Sequence, residues 1–208
     1  MSEKIASDSY KSIAKQSKGV YKELGSKFLS FAYPVSSEEE IKTIISEIKK
    51  EYFDARHHCY AYRLGSAGEL WRANDDGEPS FSAGRPILGQ LLSNELSDVL
   101  IVVVRYFGGT KLGVSGLIRA YKSAASDAIS NSEIVEKTEA VRVEIRFSYP
   151  NMEPVMKLIK SRGACIKEQK FGIECSIVAE IRKGELEGLL MSFSDLTEVE
   201  IKQERSKF

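Results

Sequence analysis

The chain is short of cysteine and histidine and has no excess charge, and each shortage narrows what it can do. Three cysteines, Cys59, Cys165 and Cys175, are an odd number without a Cys-x-x-Cys pair. Neither a disulfide framework nor a structural zinc knuckle is expected, and a reducing, cytoplasmic setting fits. Thirty basic and thirty acidic residues cancel, which argues against a protein that coats nucleic acid through bulk charge. No apolar run approaches the roughly 18 to 20 residues of a membrane span, and the polar start from Met1 to Tyr10 is unlike a signal peptide. No membrane partner is expected.

What is present is concentrated between residues 99 and 122. Val99 to Val104 is apolar at every position and reads as a strand that must be covered on both faces. A glycine-rich turn follows, with Gly108, Gly109, Gly113 and Gly116 expected to take positive φ and expose amides, and then an amphipathic helix from Ser115 to about Ser130. From Arg105 to Lys122 there are four basic residues and no acid. A helix start of this kind attracts anions. The turn is not a nucleotide P-loop, because Val114 stands where the phosphate-reaching lysine belongs and Lys111 lies inside the loop. The adjacent Gly108-Gly109 pair also breaks the dinucleotide fingerprint. No cofactor is expected. Arg85, Arg105, Tyr106, Gly108, Gly109, Lys111, Gly113, Ser115, Gly116 and Arg119 form the candidate phosphate- or RNA-binding set. The alternative is that the glycines only shape a tight connection.

The wider pattern is α+β in two domains, 1–135 and 136–208. After a polar, mobile beginning, a strand is expected from Lys27 to Val35. A helix follows, signalled by Ser36 or Ser37 as cap and by Ile41, Ile44, Ile45 and Ile48 on one face. His57 to Leu64 alternates as a strand, an Asp75-Asp76-Gly77 turn comes next, and a helix is expected from about Pro86 to Glu95. Asn131 to Glu139 reads as a link. Beyond it the pattern resets into strand, helix, two strands, helix and strand, a βαββαβ order of the ferredoxin-like kind. That order alone names no activity.

Three further groups invite chemistry. His57 and His58 are adjacent, so on a strand they face opposite ways, and only His57 and Cys59 share a face; two donors fall short of a zinc site. A catalytic His-Cys pair is the other reading of that face. Asp75, Asp76 and Glu78 supply hard oxygen donors or acid–base groups, against the plainer reading of a solvated turn. Tyr60, Tyr62, Trp71, Tyr106, Phe107 and Tyr121 interleave with arginines as single-stranded RNA binding requires, with the Arg105-Tyr106-Phe107 step expected to be the exposed part.

The run Gly84-Arg85-Pro86-Ile87-Leu88, followed by Val102 to Gly113, with His57 to Arg63 and Asp75 to Pro79 upstream, resembles the signature of the IMPACT family in its bacterial branch. The resemblance covers most of residues 20–130. Two departures occur: Phe81-Ser82 stands where the family usually has Gly-Thr, and Val114-Ser115 where it usually has Thr-Gly. The resemblance implies a first domain similar to the fourth domain of elongation factor G and to a small-subunit ribosomal protein, and a second similar to that factor's fifth domain. It also implies non-catalytic contact with RNA or the ribosome in the regulation of translation, with a protein partner in translation control. The eukaryotic relative is expected to regulate initiation under amino-acid stress through an additional amino-terminal domain that these 208 residues are not expected to hold, so only the general link to translation is expected to transfer. Two other functions stand beside this one: an enzyme acting on a small phosphorylated or nucleotide substrate, and a protein-interaction module. The sequence sets no oligomeric state.

Overall fold

An all-apolar central strand needs cover on both sides, and the computed structural model, which describes residues 8–172, 174–194 and 196–203, provides it. The chain divides into a unit Tyr10–Lys137 and a second unit from Thr138 on that also takes in Asp8 and Ser9. The first contains β1 (Ser9–Ile13), β2 (Ser17–Glu23), β3 (Ser26–Pro34), α1 (Glu38–Glu51), β4 (His57–Leu64) and β5 (Leu70–Asn74). It continues through α2 (Gly84–Ser93), β6 (Val99–Tyr106), α3 (Gly113–Ser130) and β7 (Ile134–Thr138). Five strands form one antiparallel sheet in the order β2-β3-β6-β4-β5.

Because successive side chains point to opposite faces, β6 splits its apolar residues between two layers. Val99, Ile101 and Val103 join Phe28, Cys59 and Ala61 in the layer packed by Ile87 and Leu91 of α2 and Leu117, Ala120 and Tyr121 of α3. Leu100, Val102 and Val104 join Phe31, Tyr62 and Leu64 in the layer that Ile41 and Ile48 of α1 close. α1 starts where Ser37 accepts from the Glu40 amide, while the Glu40 carboxylate reaches back to the Ser36 amide at 2.8 Å. α3 sits tightly on the sheet because its face is Ala120, Ala124, Ala125 and Ala128. Ser30 Oγ donates to the Ala124 carbonyl at 2.6 Å and Ser17 Oγ to that of Ala128 at 2.7 Å. A Cβ on Gly19 would stand 2.5 Å from the Ala128 nitrogen, so only glycine allows this approach.

The second unit holds β8 (Ala140–Ser148), α4 (Met152–Ser161), β9 (Cys165–Lys170), β10 (Glu174–Arg182), α5 (Leu186–Phe193) and β11 (Val199–Gln203). Its sheet runs β11-β8-β10-β9, all antiparallel. Val143, Ile145, Ile177 and Ala179 face Val155, Ile159 and Leu189 of the helices. The protein is thus α+β, with mixed helices over antiparallel sheets.

Three expectations are corrected. The start expected to be mobile lies partly outside the described residues, at 1–7, but Ser9–Ile13 and Ser17–Glu23 form β1 and β2. β2 alternates buried and exposed positions through Ser17 and Gly19, small residues that face a helix and give no apolar signal. The expected link at 131–139 contains β7, which pairs with β1. The glycines also differ in purpose. Only Gly109 and Gly113 of the four take positive φ, at 86° and 69°. Gly108 is needed because a Cβ there would fall 1.9 Å from the Gly25 carbonyl carbon.

Candidate anion-binding site

At the end of the sheet, where β4 begins and β6 finishes, a cavity of about 400 Å³ is lined by Arg56, His57, Glu78, Pro79, Arg105, Phe107 and residues Lys111 to Val114, with Leu117 behind them. It brings together residues from the 75–79 turn, the glycine-rich turn and the first turns of α3. His57 and Arg105 are register partners on neighbouring strands, which places both on the α2–α3 face.

Arg105 is the centre of the polar lining. It is only 7% exposed, contrary to the expectation of a solvent-facing step; Tyr106 is half-buried with its hydroxyl donating to Asp54 at 2.8 Å, and Phe107 alone is exposed. The Arg105 guanidinium lies 5.5 Å from the Phe28 ring centre and 5.7 Å from that of Phe107. Its Nη1 donates to Glu78 Oε1 at 2.6 Å, and the same oxygen accepts from the Tyr121 hydroxyl at 2.7 Å. A buried charge needs such a partner. One donor is left over: Arg105 Nε is buried and has no hydrogen-bond partner among the described residues, an omission that costs about 1–3 kcal/mol unless an acceptor arrives.

The helix starts of this unit differ in the same direction. The N-terminus of α2 is occupied, since Asp75 Oδ1 accepts from the amides of Ala83 and Gly84 at 2.9 and 2.8 Å and Oδ2 from that of Phe81 at 2.9 Å. α3 begins with no side-chain cap and no acid in its first turn. Its partial positive charge therefore opens on the cavity uncompensated. Arg56 and Lys111, both exposed, make no ion pair with any described residue.

The other candidates are dispersed. Arg119 pairs with Glu23, and Arg85 stacks 4.2 Å from the Phe81 ring centre. Gly108 donates its amide to Ser26 Oγ at 3.2 Å. Gly109, Ser115 and Gly116 lie in the turn and helix but do not line the cavity. Asp75 is a helix cap. Asp76 accepts from the His58 amide at 2.7 Å and from Lys49 at 2.9 Å. Burial opposes ionisation of Asp76, but these two donors outweigh it and hold the carboxyl below its ordinary value. His58 is buried, with Nε2 donating to the Tyr52 carbonyl at 3.0 Å. Burial pushes the Cys59 thiol far up, which disfavours the thiolate that a nucleophilic partner of His57 would need. Among the described residues no group of three His, Cys, Asp or Glu gathers as metal ligands would. Arg56 and Pro79 escaped the sequence reading; the only signal was that Arg56 directly precedes β4, at the strand end where the cavity forms.

The Impact N-terminal domain model matches residues 24–129, just over half of the chain and the part that contains the whole cavity lining. The chain belongs to the IMPACT family. The IMPACT family member YvyE of Bacillus subtilis is 45% identical over 112 residues, 54% of this chain and 52% of that protein. The chain thus spans about half the length of that relative. The IMPACT family member YigZ of Escherichia coli is 31% identical over 142 residues, covering 67% of this chain and 68% of that one. A crystal structure described as that of a hypothetical protein shares the fold, with a TM-score of 0.71 at 23% identity over 96% of this chain and 98% of the other. One departure from the family pattern acquires a physical meaning. Phe81 holds φ at 66°, a conformation glycine adopts freely and phenylalanine does not. No helix of the described residues is long and apolar enough to cross a membrane.

Proposed function

We propose that this IMPACT-family chain is a non-catalytic RNA- or ribosome-contacting protein in the control of translation, and that the cavity at the start of α3 holds one phosphate-bearing nucleotide unit. The observation that carries the reading is the combination of an uncapped helix start with a buried guanidinium that lacks one acceptor among the described residues, in a cavity that also presents Arg56 and Lys111, which pair with none of them. The Phe107 ring, 55% exposed, offers a stacking face beside it. A net charge of zero does not oppose the reading, because the cations act locally. The link to translation rests on the family resemblance.

The same reading takes the sheet order β11-β8-β10-β9 with α4 and α5 as support for a ferredoxin-like second domain similar to the fifth domain of elongation factor G. The first would be similar to that factor's fourth domain, with the division close to residue 135. Three cysteines outside any disulfide support a cytoplasmic setting.

The enzyme reading has one observation in its favour: the cavity joins Glu78 and Pro79 to the glycine-rich turn, as a small-substrate pocket would. The interaction-module reading has less. The outer face of the second sheet carries Arg142, Glu180 and Lys167 in linked ion pairs, and Arg146 with Glu144, in place of an apolar patch. Co-sedimentation with ribosomes across a salt series tests the main proposal. Turnover of nucleotides by the purified protein, absent in the R56A/K111A double variant, would replace it with the enzyme.

A further inference from the structure

His57 has a defined tautomer. Its Nδ1 lies 2.9 Å from the main-chain oxygen of Asp76, and a carbonyl oxygen only accepts, so Nδ1 carries the hydrogen. In the neutral ring Nε2 is then an acceptor. His57 lines the cavity, and no described residue is hydrogen-bonded to that nitrogen. The neighbouring His58 is turned the other way, buried and bonded at Nε2, so the two adjacent histidines have separate tasks. Glu78, the carboxylate of the lining, accepts from both Arg105 and Tyr121 at Oε1. The cavity therefore offers cations and helix amides for an anion and, opposite Arg105 in the strand register, a neutral imidazole acceptor at His57 beside the Glu78 carboxylate.

An anion site with a neutral imidazole acceptor in its wall matches a ligand that carries a hydroxyl next to its phosphate. In a ribonucleotide the 2′-hydroxyl and the 3′-phosphate sit on adjacent carbons, and a cavity of about 400 Å³ is of single-nucleotide size. We propose that the cavity selects ribose over deoxyribose, with His57 Nε2 accepting the 2′-hydroxyl of a nucleotide whose phosphate lies toward Arg56, Lys111 and the start of α3. The 2′-hydroxyl is the group by which a protein separates RNA from DNA at a given position. This inference rests on the proposed phosphate site and names its ligand class.

The test is calorimetric binding of uridine 3′-monophosphate, its 2′-deoxy analogue, glycerol 2-phosphate and inorganic phosphate to the full chain at pH 8. The ribonucleotide is expected to bind about fivefold to tenfold tighter than the deoxy analogue, the worth of one hydrogen bond. H57A, and H57F as a variant that refills the space, should bind both nucleotides equally at the affinity of the deoxy analogue. Equal affinities in the unaltered protein overturn the inference, as does a preference that survives in both variants. Glycerol 2-phosphate binding as tightly as the ribonucleotide overturns the nucleotide assignment. Phosphate binding without ribose preference leaves the phosphate site standing and removes only the role of His57. No binding by any of the four removes both.

Discussion

Arg105 and Glu78, 27 residues apart in the chain, form a buried ion pair at 2.6 Å beneath the cavity. The pair fixes the guanidinium near two aromatic rings, and Tyr121 donates to the same carboxylate oxygen from α3. Sheet, turn and helix are tied at one point.

Removing one partner leaves a buried charge without compensation. R105A is expected to destabilise the protein by about 3–5 kcal/mol. The apolar pair R105M/E78L should recover about half of that or more, because neither charge is then stranded. Urea unfolding of the single and double variants checks this; an R105A loss below about 1 kcal/mol would show the pair to be solvated.

Gly108 and Gly109 should answer differently to the same substitution. An alanine at 109 meets no neighbour within 4 Å and only has to hold φ at 86°, a strain of about 1–2 kcal/mol. An alanine at 108 would place its Cβ 2.1 Å from the Ser26 nitrogen as well as against Gly25, and backbone cannot step aside as a side chain can. G108A should therefore lower the thermal midpoint by at least about twice as much as G109A. Equal effects would contradict the close approach of the two turns.

Asp76 gives the protein an acid-sensitive element. Its carboxyl is held below its ordinary value of 3.8 by the His58 amide and Lys49, against the effect of burial. A group with a depressed folded pKa contributes stability above its unfolded pKa and loses it as pH falls through the folded value. The stability difference between the unaltered protein and D76N should thus be largest near neutrality and shrink as pH drops below 3.8. Urea midpoints at pH 7 and pH 3 measure it. A constant difference would mean that Asp76 is not ionised against these donors.

Much of the first sheet was legible in the sequence because its signals are apolar and periodic. The alternation over His57 to Leu64 became β4 at the same bounds, and the unbroken run from Val99 became the strand with a helical layer on each face. β1, β2, β5 and β7 were not legible. Their positions are mostly polar, exposed or filled by serine and glycine and so carry no apolar alternation; β2 and β5 form on the strands next to them in the chain, β3 and β4, and β1 pairs with β7 from the far end of the unit. The site was half legible for the same reason. Arg105, Lys111 and Gly113 stood out on one continuous motif, but the burial of Arg105 depends on Glu78, which a turn delivers from another part of the chain. Arg119 read as a free cation until β2 brought Glu23 beside it.

The central claim is that the cations around the start of α3 hold phosphate, and the salt dependence of RNA or ribosome binding by R56A/K111A tests it most directly. Both side chains are exposed and pair with no described residue, so the double variant should keep its thermal midpoint. It should bind more weakly, and the slope of log affinity against log salt should fall by about 1.4 to 2 for two lost phosphate contacts. Unchanged affinity with an unchanged slope would contradict the phosphate site.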